Sequence, residues 1–246
     1  EAYAYFDLGN IFREKGNNEE AIANYQKAVQ INPALDDAHY NLGIIFKESG
    51  RLDEAITCYR KAIQVNPTHA DTYNNLGLAL QDSGQLEEAE ICYKQAIKID
   101  PDYAYAYHNL GNVFLEKKQL DEAIAYYQKA IQMNPDLIDA HNNLRNALKE
   151  TGLLDEAITV YKKTLEINPN RADTYYNLGI VLKESGRLDE AIACYRKAIQ
   201  INPNNADAYN NLGNVCSDIG DKDEAISAYK KAIEINPDYA GAYFNL

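Results

Sequence analysis

Residues 172–205 read ADTYYNLGIVLKESGRLDEAIACYRKAIQINPNN, and this stretch decides the fold. Tyr175, Leu178, Val181 and Leu182 recur with the 3.6-residue period of a helix. Gly186 then punctuates, and Leu188, Ala191, Ile192, Tyr195, Ile199 and Ile201 form a second stripe of the same period. The Asn202-Pro203 pair ends the second helix, because the residue before a proline is driven out of the helical region. The residue after the proline, commonly Asp, Asn or Thr at its equivalents, is expected to cap the next helix. A hairpin of two short amphipathic helices cannot bury both of its stripes alone, so it needs neighbours of its own kind.

The chain supplies them. Its seven prolines are Pro33, Pro67, Pro101, Pro135, Pro169, Pro203 and Pro237, and every interval is 34 residues, the signature of a repeat array. With the proline as thirty-second residue, the repeats are 2–35, 36–69, 70–103, 104–137, 138–171, 172–205 and 206–239, and Ala240–Leu246 begins an eighth. Leucine holds position 7 throughout, from Leu8 and Leu42 to Leu246. Glycine holds position 8 at Gly9, Gly43, Gly77, Gly111, Gly179 and Gly213. Alanine holds position 20 from Ala21 to Ala225, and tyrosine position 24 at Tyr25, Tyr59, Tyr93, Tyr127, Tyr161, Tyr195 and Tyr229. The small residues let the helices approach, and the tyrosine fills the space between neighbours.

Composition removes other classes. A formal charge of -13 opposes the phosphate neutralisation on which nucleic-acid affinity depends, so no nucleic-acid partner is expected. No apolar run approaches the roughly 18 to 20 residues of a membrane span, and the first residues lack a signal-peptide pattern. Cys58, Cys92 and Cys194 share one repeat position and Cys216 another, so no Cys-x-x-Cys pair exists. Equivalent residues on stacked helices stand about 8 to 10 Å apart, too far for a disulfide. Free thiols of this kind fit a reducing, cytoplasmic compartment.

The 34-residue unit, with its aromatic, Leu-Gly, Ala, Tyr and Pro positions, resembles the tetratricopeptide repeat over essentially the whole chain. The resemblance implies an all-α, right-handed superhelical solenoid of stacked antiparallel helix pairs, one domain over 1–246. Some positions depart from it. His39 and His141 replace the first aromatic, which is tyrosine at Tyr5, Tyr73, Tyr107, Tyr175, Tyr209 and Tyr243. Arg145 replaces the helix A glycine, Thr164 a helix B alanine, and Lys118 the turn glycine. The two histidines are expected to pack in place of tyrosine rather than to bind metal.

Acidic pairs open every helix B, from Glu19-Glu20 to Asp223-Glu224, and basic residues such as Arg60-Lys61 follow. This polarity suits the helix macrodipole and leaves no paired-carboxylate catalyst to invoke. Helix A carries the stripe that packing does not explain. Positions 2, 5, 6, 9, 12 and 13 share one face. Position 6 reads Asn41, Asn75, Asn109, Asn143, Asn177 and Asn211, and position 2 adds Asp37, Asp71, Asp139, Asp173 and Asp207. Asparagine is a poor helix former, so its recurrence needs a reason. Two stand open: each carboxamide bonds to a neighbouring helix and fixes the stacking, or the ladder pairs with the main chain of an extended peptide. Tyr40, Tyr105, His108 and Tyr176 fall on the same face as candidate side-chain pockets, as do Tyr3 and Phe6.

The stretches Asp37–Gly43 and Asp207–Gly213 resemble the superhelical repeats of O-linked N-acetylglucosamine transferases. The resemblance implies that these Asn and Asp ladders hold substrate polypeptide, with Tyr3 and Tyr105 breaking the aspartate row. Co-chaperone repeats that clamp a C-terminal carboxylate carry cations at positions 5 and 9, and neither position holds one here. The expected partner is an extended peptide or protein, neutral or basic. No catalytic residue, cofactor or metal ligand is expected in this segment. The alternatives are the recruiting region of a glycosyltransferase with its catalytic domain outside this chain, and a self-assembling array joined end to end through Tyr243, Phe244 and Leu246.

Overall fold

The computed structural model describes residues 1–246. Fifteen α-helices and no strand make up the chain, in two compact units, Glu1–Gln119 and Leu120–Leu246. The first unit contains α1 (Ala2–Glu14), α2 (Asn18–Ile31), α3 (Asp36–Glu48), α4 (Leu52–Val65), α5 (Ala70–Asp82), α6 (Leu86–Ile99) and α7 (Ala104–Glu116). The second contains α8 (Leu120–Met133), α9 (Ile138–Glu150), α10 (Leu154–Ile167), α11 (Ala172–Glu184), α12 (Leu188–Ile201), α13 (Ala206–Asp218), α14 (Lys222–Ile235) and α15 (Ala240–Asn245). Odd-numbered helices are helix A of each repeat and even-numbered ones helix B. Within each unit, consecutive helices pack into antiparallel pairs and the pairs stack, as the period predicts.

The core contact is between position 8 and position 24 of one repeat. A Cβ built on Gly9 would stand 2.6 Å from the Tyr25 ring, and the corresponding distances are 2.5 Å for Gly43 and Tyr59, 2.6 Å for Gly77 and Tyr93, and 2.7 Å for Gly179 and Tyr195. No side chain fits there. The tyrosine therefore seats on the bare helix A backbone of its own hairpin, which refines the expectation that it fills space between neighbours. Tyr25, Tyr93 and Tyr195 are fully buried, as are Ala21, Ala89 and Ala191. Burying one such ring contributes about 1.5–3 kcal/mol.

Repeat 5 lacks the bare backbone. Arg145 occupies position 8, and Tyr161 stacks on His141, with ring centroids 5.5 Å apart and planes 19° apart. Its hydroxyl donates to the His141 carbonyl oxygen at 2.8 Å. The pair α9 and α10 accordingly packs much less closely than α11 and α12. His141 and His39 do occupy the tyrosine's packing position: each is buried, and each Nε2–H donates to a proline carbonyl, Pro135 at 3.0 Å and Pro33 at 3.1 Å. Burial holds both imidazoles below their usual pKa.

The turns use a second kind of glycine. Gly16, Gly50, Gly84, Gly152, Gly186 and Gly220 have φ between 72° and 87°. In the first turn the Gly16 N–H bonds to the Arg13 carbonyl and the Asn17 N–H to that of Phe12, a Schellman closure. Lys118 takes the same place at φ 60°, where a Cβ costs about 1–2 kcal/mol. Between repeats the expected N-cap falls one residue early. The capping position is Leu35, His69, Tyr103, Leu137, Arg171, Asn205 or Tyr239, two residues after the proline, and only Asn205 among them caps with its side chain, at 2.9 Å to the Ala208 N–H. The extra residue is consumed by a turn. Asn32 Oδ1 accepts the Ala34 N–H at 3.1 Å, and Asn66, Asp100, Asn134, Asn202 and Asn236 repeat the bond.

Helix B charges also differ from the dipole reading at one end. The acidic pairs do sit in the first turn, but the cations fall short of the last turn in every helix B except α6, where Lys98 reaches it. They reach across to the next repeat instead: Arg60 to Glu88 at 2.6 Å and Arg196 to Glu224 at 2.6 Å. These pairs are exposed and contribute at most about 1 kcal/mol each.

Two outcomes follow from this packing. Lys118→Gly should raise the stability of the chain by about 1 kcal/mol, read as a higher urea midpoint. Acid should act through the buried histidines. Their folded-state pKa lies below the unfolded value of about 6.5, so their stabilisation is intact above that value and is lost as pH falls through the folded pKa. The thermal midpoint should drop on acidification from pH 7 towards pH 5, and His39→Tyr with His141→Tyr should flatten that drop.

Candidate functional site

The outward face of helix A is joined from repeat to repeat by side-chain bonds. Asn75 Nδ2 donates to Tyr40 Oη at 3.0 Å, Asn109 Nδ2 to Asn74 Oδ1 at 3.0 Å, Asn211 Nδ2 to Tyr176 Oη at 3.2 Å, and Asn245 Nδ2 to Asn210 Oδ1 at 3.4 Å. Each bond runs from position 6 of one helix A to position 5 of the helix A before it. Asn41 donates to Asn10 Oδ1 at 3.1 Å and accepts from Arg13 at 2.8 Å. The carboxamides thus carry a stacking role. Asn41, Asn75, Asn143 and Asn211 remain half-buried, whereas Asn109 and Asn177 are buried.

The aspartates differ from them. Asp37, Asp71, Asp139, Asp173 and Asp207 are all exposed. Asp71 accepts from the Tyr103 hydroxyl at 2.5 Å and Asp207 from that of Tyr239 at 2.6 Å. Burial and the carboxylate together raise the pKa of both phenols. Asp37, Asp139 and Asp173 have no hydrogen-bonding or ion-pairing partner in the chain. Among the aromatics, Tyr40 and Tyr176 are half-buried and lean on Tyr59 and Tyr195 at 6.1 Å, so their rings serve the core while their hydroxyls face the ladder. Tyr105 is 53% exposed, and His108 is buried.

In the second unit these faces enclose a groove of about 1000 Å³ across α9, α11 and α13. It brings together Asp173, Tyr176, Asn177, Asp207 and Asn211 from the sequence-derived set. It also brings in residues that the sequence reading left out: Ile138, Asn142, Arg145, Asn146, Lys149, Ile180, Lys183 and Glu184. Most stand at positions 5, 9, 12 and 13, which the periodicity already places on this face without marking them as ligand contacts. Ile138, at position 1, is one exception, and Arg145, at position 8, is the other. The signal for Arg145 was the break in the glycine column.

The other reactive groups are quiet. Burial pushes the thiols of Cys58, Cys92, Cys194 and Cys216 up to about 11, so they stay protonated near neutrality, while nucleophilic or metal-binding sulfur requires thiolate. No helix is long and apolar enough to cross a membrane.

Comparison with known proteins agrees with this architecture. The TPR repeat family matches residues 9–50, 45–84, 146–186 and 181–220, and tetratricopeptide repeat families also match 70–136 and 206–239. Among solved structures, the chain is similar to YrrB, described as a TPR protein with an unusual peptide-binding site, at 28% identity and a TM-score of 0.52, over 76% of this chain and 96% of that one. It is similar in fold to the C-terminal part of a TPR repeat-containing protein from Cytophaga hutchinsonii, at 20% identity and a TM-score of 0.69, over 98% and 99% of the two chains. PilF of Pseudomonas aeruginosa matches at 22% identity and a TM-score of 0.56, over 85% and 95%. No curated protein sequence matches. None of these three structures is an O-GlcNAc transferase, so that finer resemblance gains no support from them. The helix pairs, their 34-residue period and the family matches over more than half of the chain lead to one conclusion: the chain belongs to the tetratricopeptide-repeat family.

Proposed function

We propose that this chain is a non-catalytic protein-interaction scaffold that holds an extended polypeptide against its helix A faces. The observation that carries the reading is the groove across α9, α11 and α13, where three successive repeats present side-chain donors and acceptors at matching positions. A peptide in extended form offers main-chain N–H and C=O groups at regular intervals, and a repeat array offers partners for them at regular intervals too. The half-buried carboxamides of Asn75 and Asn211 each spend Nδ2 on the neighbouring helix. Their Oδ1 atoms remain acceptors for a ligand N–H. The unpartnered carboxylates Asp139 and Asp173 of the second unit favour hydroxyl or basic side chains along the ligand, which makes the preferred peptide mostly neutral or basic. The similarity to YrrB, whose description includes a peptide-binding site, supports the same class of ligand.

Substitutions on this face divide by whether they remove a bond between helices. Asn75→Ala removes a bond that ties α5 to α3, so it should lower stability together with affinity. Asp139 and Asp173 make no such bond. The double variant Asp139→Ala, Asp173→Ala should keep its thermal midpoint, as surface changes usually stay within about 0.5 kcal/mol. Its affinity for lysine-containing peptides, selected on the native chain from a displayed random library, should fall roughly five- to tenfold by fluorescence anisotropy. Equal affinity of the two proteins would contradict the assignment of these carboxylates.

A further inference from the structure

We propose that Arg145 makes the groove of the second unit a subsite for one acidic side chain, Asp or Glu, of the bound peptide. This inference rests on the peptide-groove reading and deepens it. In the repeats of Gly9, Gly43, Gly77, Gly179 and Gly213, position 8 is filled by a tyrosine ring and offers a ligand nothing. At repeat 5 the tyrosine has moved onto His141, and a half-buried guanidinium lines the groove instead.

That guanidinium is uncompensated. No carboxylate of the chain reaches it within ion-pair distance, and its one hydrogen bond is a long 3.4 Å contact to Asn177 Oδ1. The two lysines of the same groove are already engaged: Lys149 pairs with Glu184 at 2.8 Å and Lys183 with Asp218 at 3.7 Å. Of the aspartates that line the groove, Asp207 takes the Tyr239 hydroxyl, and Asp173 forms no ion pair with Arg145. Arg145 therefore retains most of its five N–H donors in a setting partly walled by Ile138, Tyr176 and Ile180. A planar guanidinium with free parallel donors matches a carboxylate in bidentate fashion. Partial removal from water strengthens the pair relative to an exposed one. Asn142 and Asn146 flank Arg145 on α9 and line the same groove. Their amides add neutral donors for the same oxygens. The bound peptide would be mostly neutral or basic, with an acidic residue placed at repeat 5.

The test uses the full chain and a displayed random-peptide library. Peptides enriched on the native protein should carry Asp or Glu at one recurring position. Replacing that residue by Asn or Gln in a synthesised peptide should weaken binding to the native chain about tenfold. The same replacement should make no difference to Arg145→Gln, and Arg145→Lys should give an intermediate loss. Enriched peptides without an acidic residue, or an acidic peptide bound equally by native and Arg145→Gln proteins, would overturn the subsite and leave the groove reading standing. Failure of any peptide to bind the native chain would overturn both. If Arg145→Gln does not fold, the peptide-side replacement measured on native protein still decides.

Discussion

The structure depends on one steric fit, a tyrosine ring pressed against a helix backbone that lacks a side chain. Position 8 is glycine because a Cβ there would stand under 3 Å from the ring of position 24, and no conformational freedom is involved, since these glycines are helical. The close approach brings helix A and helix B of a repeat into a tight antiparallel pair. It also aims the tyrosine hydroxyl at the outer face of helix A: Tyr25 donates to Asn10 at 2.7 Å and Tyr229 to Asn214 at 3.0 Å. One residue pair therefore closes the hairpin, fills the core and supplies a polar group to the ladder.

The fifth repeat shows what happens when the fit is removed. Arg145 denies the ring its seat, the ring stacks on a histidine, and the helix pair loosens. Position 8 then becomes part of the groove surface rather than of the core. Departures from the repeat pattern are where a stacked array can acquire local chemistry, because the regular positions are committed to packing. Lys118 at the turn is a departure of another kind, one that costs backbone energy and places no group in the groove.

Much of this was legible in the sequence, and for physical reasons. Proline and glycine act on the backbone alone, so their 34-residue period located the turns, and the apolar stripes then identified both helices of each repeat. Histidine at the tyrosine position packs, as its place in the repeat implies. The N-cap lies one residue beyond the position the sequence implies, because the Asn before the proline makes a turn with its own side chain, a local bond that competes with the helix start. The order of charges along helix B implies cations serving the dipole of their own helix, whereas Arg60 and Arg196 pair with the next repeat. The period says which residues are neighbours across repeats, but it does not say which rotamer each adopts. For that reason the sequence leaves both roles of the asparagines open, and the bonds of Asn75 to Tyr40 and of Asn211 to Tyr176 speak for the stacking role alone.

The central claim is that position 8 and position 24 form one energetic unit, and a double-mutant cycle on Gly43 and Tyr59 tests it most directly. Gly43→Ala alone should destabilise the chain by about 1–3 kcal/mol through overpacking, and Tyr59→Ala alone by about 3–5 kcal/mol. If the two residues share one seat, the double variant should lose less than the sum by about 1 kcal/mol or more, since the added methyl no longer meets a ring. Losses that simply add would contradict the account.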